Sequence, residues 1–337
     1  MNKNVFVSTF PFCRTSTYAM DVLKKNGHSV TINSLGRKMK PEEVAEAAKD
    51  FDSLIAGTED LRQLVQTSSN LKLISRVGVG LDSVPLDLCK EKGIAVTYTP
   101  DAVSPAVSEL AIGLMIDLFR KVGLADRELR RGGWSRPYGI RIGTSKIGIL
   151  GCGRIGTRLA YHLLGLAPAE ILICDIVDKS ELIRELQNYA DSLHNSQLKF
   201  SKNWNRTLIR QVNHKEIYQE ADCLTVHIPL NETNRNLITS NEIKMMKSTS
   251  YLINTARAGI INEEDIYQCL VNGSIAGAAI DVFEEEPYHG PLTQLENVIL
   301  SQHMGSCSID CREDMEKEAS ENVVGFWKGE ELEARVV

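Results

Sequence analysis

The sequence predicts an α/β protein built from two doubly wound parallel sheets. Three observations carry this. Short β-branched runs alternate with helical stretches from the start to about residue 100. A second alternating series begins at Lys146 and continues to about residue 302. Within it, a glycine-rich G-x-G-x-x-G turn lies between a strand and a helix. Strands separated by helices of this length need crossover connections, and crossovers make the sheets parallel. A chain of 337 residues with 43% hydrophobic and 24% charged residues fits two globular domains with sizeable cores.

In the first series NVFVS (4–8), SVTIN (29–33), DSLIA (52–56), LKLIS (71–75) and IAVTY (94–98) read as strands. PEEVAEAAKD (41–50) reads as a helix with its proline in the first turn. A long helix follows, with Ser104 as cap and Pro105 at the first helical position. Val107, Leu110, Ala111, Leu114, Met115, Leu118 and Phe119 give it an apolar stripe. RRGGWSRPYG (130–139) is a loop. KIGIL, EILIC, CLTVHI, SYLIN and SIAGAAID then read as strands, and so does the short apolar run Val298 to Leu300 that leads to His303. Asp178 to Arg206 is polar and predicts one helix near 180–190, then a surface excursion near 190–207. An amphipathic helix over 309–328 ends at Lys328-Gly329.

Several function classes are disfavoured. A net charge of −6 offers no global basic field for nucleic acid or an anionic membrane. No segment has 18 consecutive apolar residues, and the apolar part of MNKNVFVSTFPF is too short for a signal peptide. Eight scattered cysteines form no CxxC pair, and several sit in apolar runs. Reduced thiols in a cytoplasm are expected, with neither a disulfide framework nor a metal site. Cys307 and Cys311 lie near His303, but no other ligand cluster joins them.

In KIGILGCGRIG the glycines are Gly151, Gly153 and Gly156. The pattern alone is weak; its context is not. A strand precedes it, and Leu159, Leu163 and Leu166 continue one helix face from Ile155. The strand EILIC then ends at Asp175. Gly151 allows a tight turn, Gly153 lets backbone approach a pyrophosphate, and Gly156 lets helix and strand pack closely. Arg154 and Ile155 lie in the same first turn, where helix N–H groups meet phosphates. Asp175 would accept both ribose hydroxyls, which predicts NAD and disfavours a 2′-phosphate.

Seven blocks now resemble, in order, the D-isomer-specific 2-hydroxyacid dehydrogenase family, its phosphoglycerate dehydrogenase-like branch in particular. They are RVGVGLD, TPDAVSPAVSELAIGLM, GILGCGRIG, HIPL, INTARAG, AIDVFEEEP and NVILSQHMGS. The resemblance implies an NAD-binding Rossmann domain, residues 101–302, inserted in a flavodoxin-like substrate domain of residues 1–100 and 303–337. It implies a homodimer joined through the 104–140 region. It also implies that Asp281 binds the nicotinamide amide, that His227 and Pro229 face the cofactor, and that Thr255 and Ala256 bring backbone to the nicotinamide ring. The chain departs from the branch in stopping soon after its last helix, in the polar excursion, and in Ser108, where alanine is commoner.

Three residues match the family's catalytic positions: Arg257, Glu286 and His303. Their chemistry is also arguable from first principles. Reducing a 2-oxo acid to a D-2-hydroxy acid needs hydride at C2, a proton for the alkoxide and an anchor for the carboxylate. Histidine, with an ordinary pKa near neutrality, can give and take that proton. Glu286 would orient the ring. The guanidinium fork of Arg257 would hold the carboxylate and polarise the carbonyl. Each has a plainer alternative: a surface arginine, a solvated acidic run, a histidine satisfied at a strand end. The turn Arg76, Val77, Gly78, Val79 and Gly80 is a second candidate anchor, a nest of N–H groups for a carboxylate.

The choice of acid is open at this point. Arg76 and Arg136 favour a phosphate, and thus 3-phosphoglycerate and phosphohydroxypyruvate. AGTED (56–60) places acids where a basic group would serve that substrate. Hydroxypyruvate, glyoxylate or a sugar-derived 2-oxo acid fit as well. The rival class is an NADH-responsive, corepressor-like binding protein with the same fold.

Overall fold

The computed structural model describes residues 2–200 and 204–337. The chain divides into two compact units, Met1–Ala106 with Ser306–Val337 and Val107–Gly305. His303 therefore belongs to the second unit.

The first unit has five strands: β1 (Asn4–Val7), β2 (Ser29–Ile32), β3 (Ser53–Ala56), β4 (Leu73–Arg76) and β5 (Ala95–Thr97). All pair in parallel in the order β2-β1-β3-β4-β5, the flavodoxin-like arrangement. Strands covered on both faces read as near-continuous apolar runs, and β3 and β4 are buried throughout. One face packs Phe6, Leu54, Ile74 and Val96 against Val44, Leu64 and Val65. On the sheet, Ser75 Oγ donates to the Ala319 carbonyl at 2.9 Å and Ser53 Oγ accepts from Trp327 Nε1 at 2.8 Å, so the helix Ile309–Lys328 is held there. That helix has the expected bounds, with a Ser308 cap accepting from Cys311 N–H and Gly329 in the left-handed region. The last residues cover the β5 edge, where Val336 N–H donates to Val96 O at 2.9 Å.

The second unit has seven: β6 (Lys146–Leu150), β7 (Glu170–Cys174), β8 (Leu208–Gln211), β9 (Cys223–Val226), β10 (Tyr251–Asn254), β11 (Gly277–Ile280) and β12 (Val298–Leu300). Their order is β12-β11-β10-β9-β6-β7-β8, all parallel. The order reverses at β6, so the crevice for ligands opens at its carboxyl end. Successive side chains alternate between two cores. Ile147, Ile149, Ile171, Ile173 and Ile253 enter one; Leu150, Leu172, Leu224, Val226 and Leu252 enter the other. Each such fully buried side chain contributes about 1.5–3 kcal/mol. At the opposite sheet end Lys146 bridges Glu170 and Glu220, and Arg210 bridges the same two acids.

Three expected elements differ. The helix after β5 spans Val103–Arg120, so Ser104 and Pro105 lie inside its first turn rather than at its edge. Proline is tolerated there because first-turn N–H groups have no intrahelical partner. The helix expected near 180–190 spans Ser180–Gln197, its Leu186 and Ala190 buried beneath a polar surface. The strand β8 follows directly on the stretch read as excursion, and residues 201–203 of that stretch lie outside the described residues. The polar composition hid a strand whose central residue, Ile209, is buried.

Candidate active site

The candidate residues stand along one edge of the seven-stranded sheet. Asp175 follows β7, Gly151 follows β6, His227 follows β9, Thr255 to Arg257 follow β10, Asp281 follows β11 and His303 lies just beyond β12. The sheet order places these six strand ends side by side in that sequence. Five steps of about 4.8 Å give a row of roughly 24 Å.

At one end, Gly151 has φ +91°, and a Cβ there would come within 2.8 Å of the His227 carbonyl. A Cβ on Gly156 would strike the Gly151 carbonyl. Gly153, in contrast, faces open space, with nothing within 4 Å of where its Cβ would be. It precedes the helix Arg154–Leu164, whose N-terminus points a positive dipole end into that space. Pro229 lies two residues beyond His227 and is exposed. Asp175 accepts from Cys152 N–H at 2.8 Å and Val177 N–H at 2.9 Å, with Lys179 Nζ at 3.6 Å. Gln211 on β8 accepts from Lys179 N–H at 2.8 Å and donates to Val177 O at 3.1 Å, fixing this loop. Lys179 and Gln211 escaped the sequence reading, because β8 did.

Two buried polar atoms stand without hydrogen-bond partners at the next two strand ends: His227 Nδ1 and Thr255 Oγ1. Such atoms are costly unless a ligand or water reaches them. The His227 residue keeps some exposure, but its ring is enclosed; burial pushes its pKa down to about 4, so the ring is neutral at pH 7. Its Nε2 pairs with Thr225 Oγ1 at 2.9 Å. The open cradle at Gly153, the helix N-terminus and these orphaned atoms together fit an extended dinucleotide.

At the other end, Asn254 shapes the turn after β10. Its amide donates to Arg257 O at 2.9 Å and accepts from Ala256 N–H at 3.0 Å. Arg257 is half-buried and donates through Nη1 to Ala256 O at 2.7 Å. His303 Nδ1 lies 3.0 Å from both Glu286 carboxylate oxygens, and Glu286 Oε1 also accepts from Phe283 N–H at 3.2 Å. His303 has φ +51°. The nearby Glu263 carboxyl is raised by burial first, then by the charges of Glu284 and Glu286.

The carboxylate of Asp281, expected from the resemblance to bind the nicotinamide amide, accepts from three donors of the His303 loop: Ser301 Oγ, Met304 N–H and Gly305 N–H. One expectation needs correction here. In the first unit, the nest expected over Val77 to Gly80 is half used. Val77 N–H donates to Ala56 O at 2.9 Å and Gly78 N–H to Thr99 Oγ1 at 2.7 Å. Only Val79 and Gly80 reach partial exposure, while Arg76 is 7% exposed with its guanidinium against Gly78. The acids of AGTED also part company. Glu59 is buried, accepting from Ser8 Oγ and Gly57 N–H, and only Asp60 is exposed.

Comparison with known proteins agrees with this layout. The family model for the D-isomer specific 2-hydroxyacid dehydrogenase NAD binding domain matches residues 112–198 and 192–305. A glyoxylate reductase of Thermofilum pendens is 31% identical over 299 residues, 86% of this chain and 82% of the relative. A D-3-phosphoglycerate dehydrogenase of Methanocaldococcus jannaschii is 33% identical over 86% of this chain; the chain spans only 52% of that relative. Among solved structures, the TT0316 protein from Thermus thermophilus has TM-score 0.84 at 26% identity, over 99% of this chain and 100% of that one.

Proposed function

Because the chain belongs to the D-isomer specific 2-hydroxyacid dehydrogenase family, we propose that it reduces a short 2-oxo acid of glyoxylate or hydroxypyruvate size, with Arg257, Glu286 and His303 as its catalytic set. The reaction is 2-oxo acid plus NADH plus a proton to D-2-hydroxy acid plus NAD. The carrying observation is the Glu286–His303 pair at 3.0 Å. It assigns Nδ1–H to the carboxylate, so proton transfer to the forming alkoxide runs through Nε2. Glu286 stabilises the imidazolium before the proton leaves and the ring's orientation throughout. Arg257 binds the substrate carboxylate and polarises the carbonyl by charge-assisted hydrogen bonds. NADH supplies the hydride. Gly151, Gly153, Arg154, Ile155 and Gly156 hold its pyrophosphate, Asp175 its adenosine ribose, and His227, Pro229, Thr255 and Ala256 line the nicotinamide half.

Relatedness to a glyoxylate reductase supports the small acid. In the first unit taken by itself, the buried Arg76 lies against Gly78 and supports its turn, rather than offering an exposed guanidinium to a phosphate dianion. The test is NADH oxidation with glyoxylate, hydroxypyruvate and phosphohydroxypyruvate. Higher kcat/KM on the two unphosphorylated acids is expected; preference for the phosphorylated one reverses the assignment.

A second copy of the chain would cover the 104–140 face. The helix Val122–Arg130 buries none of its residues, and Leu129 (58%), Trp134 (77%) and Tyr138 (96%) are exposed, an apolar display that solitary proteins avoid. A homodimer by analytical ultracentrifugation is expected, with Tyr138→Glu shifting it toward monomer. The eight free cysteines, six of them buried, suit a reducing cytoplasm. No described helix is long and apolar enough to cross a membrane.

A further inference from the structure

We infer that Asp281 is a positioning residue for the reaction proposed above: its carboxylate clamps the loop Ser301–Gly305 and so holds the His303 ring against Glu286. The inference rests on that reading for its catalytic consequence, but the clamp itself is read from geometry alone.

Asp281 is 1% exposed, directly beyond β11. Oδ1 accepts from Ser301 Oγ at 2.6 Å and Met304 N–H at 2.9 Å; Oδ2 accepts from Gly305 N–H at 3.0 Å. Its backbone carbonyl accepts from His303 N–H at 2.8 Å. One residue thus receives hydrogen bonds from positions 301, 303, 304 and 305. Between these tethers His303 sits at φ +51°, a conformation that side chains other than glycine seldom adopt unless surrounding contacts enforce it. Released, the loop would relax toward ordinary dihedrals and swing the ring off Glu286. A buried carboxylate with three donors is well satisfied, and charge-assisted bonds are the strong kind. The arrangement therefore has the stiffness that proton transfer geometry demands.

This role differs from that of a nicotinamide ligand, and the two separate experimentally. Asparagine at 281 keeps the shape but carries only one acceptor oxygen, so its amide group must face Gly305 N–H or the Met304 and Ser301 donors. Asp281→Asn and Ser301→Ala are compared with wild type in three measurements: NADH Kd by fluorescence, reductive kcat/KM on glyoxylate, and the rate of diethylpyrocarbonate labelling of His303 by mass spectrometry, with the exposed His214 as internal reference. We expect kcat/KM to fall about 100-fold in Asp281→Asn and about fivefold in Ser301→Ala, chiefly in kcat. NADH Kd should stay within about twofold, and His303 labelling should quicken in both variants as the ring leaves Glu286. A rise in NADH Kd matching the loss in kcat/KM, with labelling unchanged, overturns the clamp in favour of a cofactor ligand. Should Asp281→Asn fail to fold, Ser301→Ala decides alone, since it removes one donor without creating a buried mismatch. Should wild type reduce no 2-oxo acid, the proposed reaction fails, while labelling and NADH Kd still test the clamp.

Discussion

Two glycine-rich turns follow central strands, RVGVG after β4 and LGCGRIG after β6, and they do different things. In both, the first N–H groups are used internally. Val77 and Gly78 donate to Ala56 O and Thr99 Oγ1; Gly151 and Cys152 donate to Cys174 O and Asp175 Oδ2. The difference lies beyond. After Gly153 the chain enters an 11-residue helix, and a helix start leaves N–H groups that no carbonyl of its own can meet. After Gly80 the next helix begins only at Leu86. Glycines permit a turn; the helix behind one of them makes it an anion site.

Substitutions can break or sharpen that contrast. The largest effects belong to the β10 to β12 part of the second sheet's row. Arg257→Ala should lower reductive kcat/KM about 10²–10³-fold by removing the carboxylate anchor and carbonyl polarisation, measured by initial rates; near wild-type efficiency would remove Arg257 from the site. The two turns themselves come next. Gly153→Ser is compatible with the helix cap position and the open space there. It should therefore weaken NADH about tenfold or more, roughly 1.4 kcal/mol, and leave the melting temperature in place. Gly78→Ser, at φ +128° with Arg76 where the Cβ would go, should instead cost about 1–3 kcal/mol of stability, read by denaturant unfolding.

Smaller effects follow. Asp175 should favour NAD over NADP by about tenfold or more in kcat/KM. Lys179, at 3.6 Å from its carboxylate, offsets part of that charge, so Lys179→Met should widen the preference by a few-fold on the scale of partly exposed ion pairs. An unchanged ratio would mean that Lys179 does not reach the 2′-position. The smallest concerns the first unit. Burial, then Asp101, Glu321 and Asp314, push Glu318 up from 4.5 to about 7. The unfolded chain then loses this proton at lower pH than the folded one, so its contribution to stability falls as pH rises from about 4.5 to 7 and stays low above. Glu318→Gln should raise the melting temperature at pH 8 and lose that gain below pH 4.5; an equal effect at both would deny the shift.

The sequence carried most of this fold because both layers of each sheet speak through alternation. Every strand but β8 falls within the apolar runs that predict strands, save that β4 runs one residue further, to Arg76, and β12 coincides with the run Val298 to Leu300. β8 is lost because an edge strand with Leu208 exposed and only Ile209 buried has no period to read. The order of the site residues along the sheet edge is equally hidden. Asp175 and His303 are far apart in sequence and mark the two ends of one row only once the strand order is known. The occupancy of N–H groups at Val77 and Gly78, and of the Asp281 carboxylate, depends on partners distant in the chain. No local pattern predicts them.

The central claim is that the row of strand ends runs from a nucleotide site at β7 to proton transfer at β12. It is tested most directly by measuring NADH binding and glyoxylate or hydroxypyruvate reduction side by side in wild type and His303→Gln. The account predicts turnover in wild type, with a fall of about 10²–10⁴-fold in kcat/KM and unchanged NADH Kd in the variant. Tight NADH binding in wild type with no turnover on any 2-oxo acid would contradict it, and would favour an NADH-responsive binding protein.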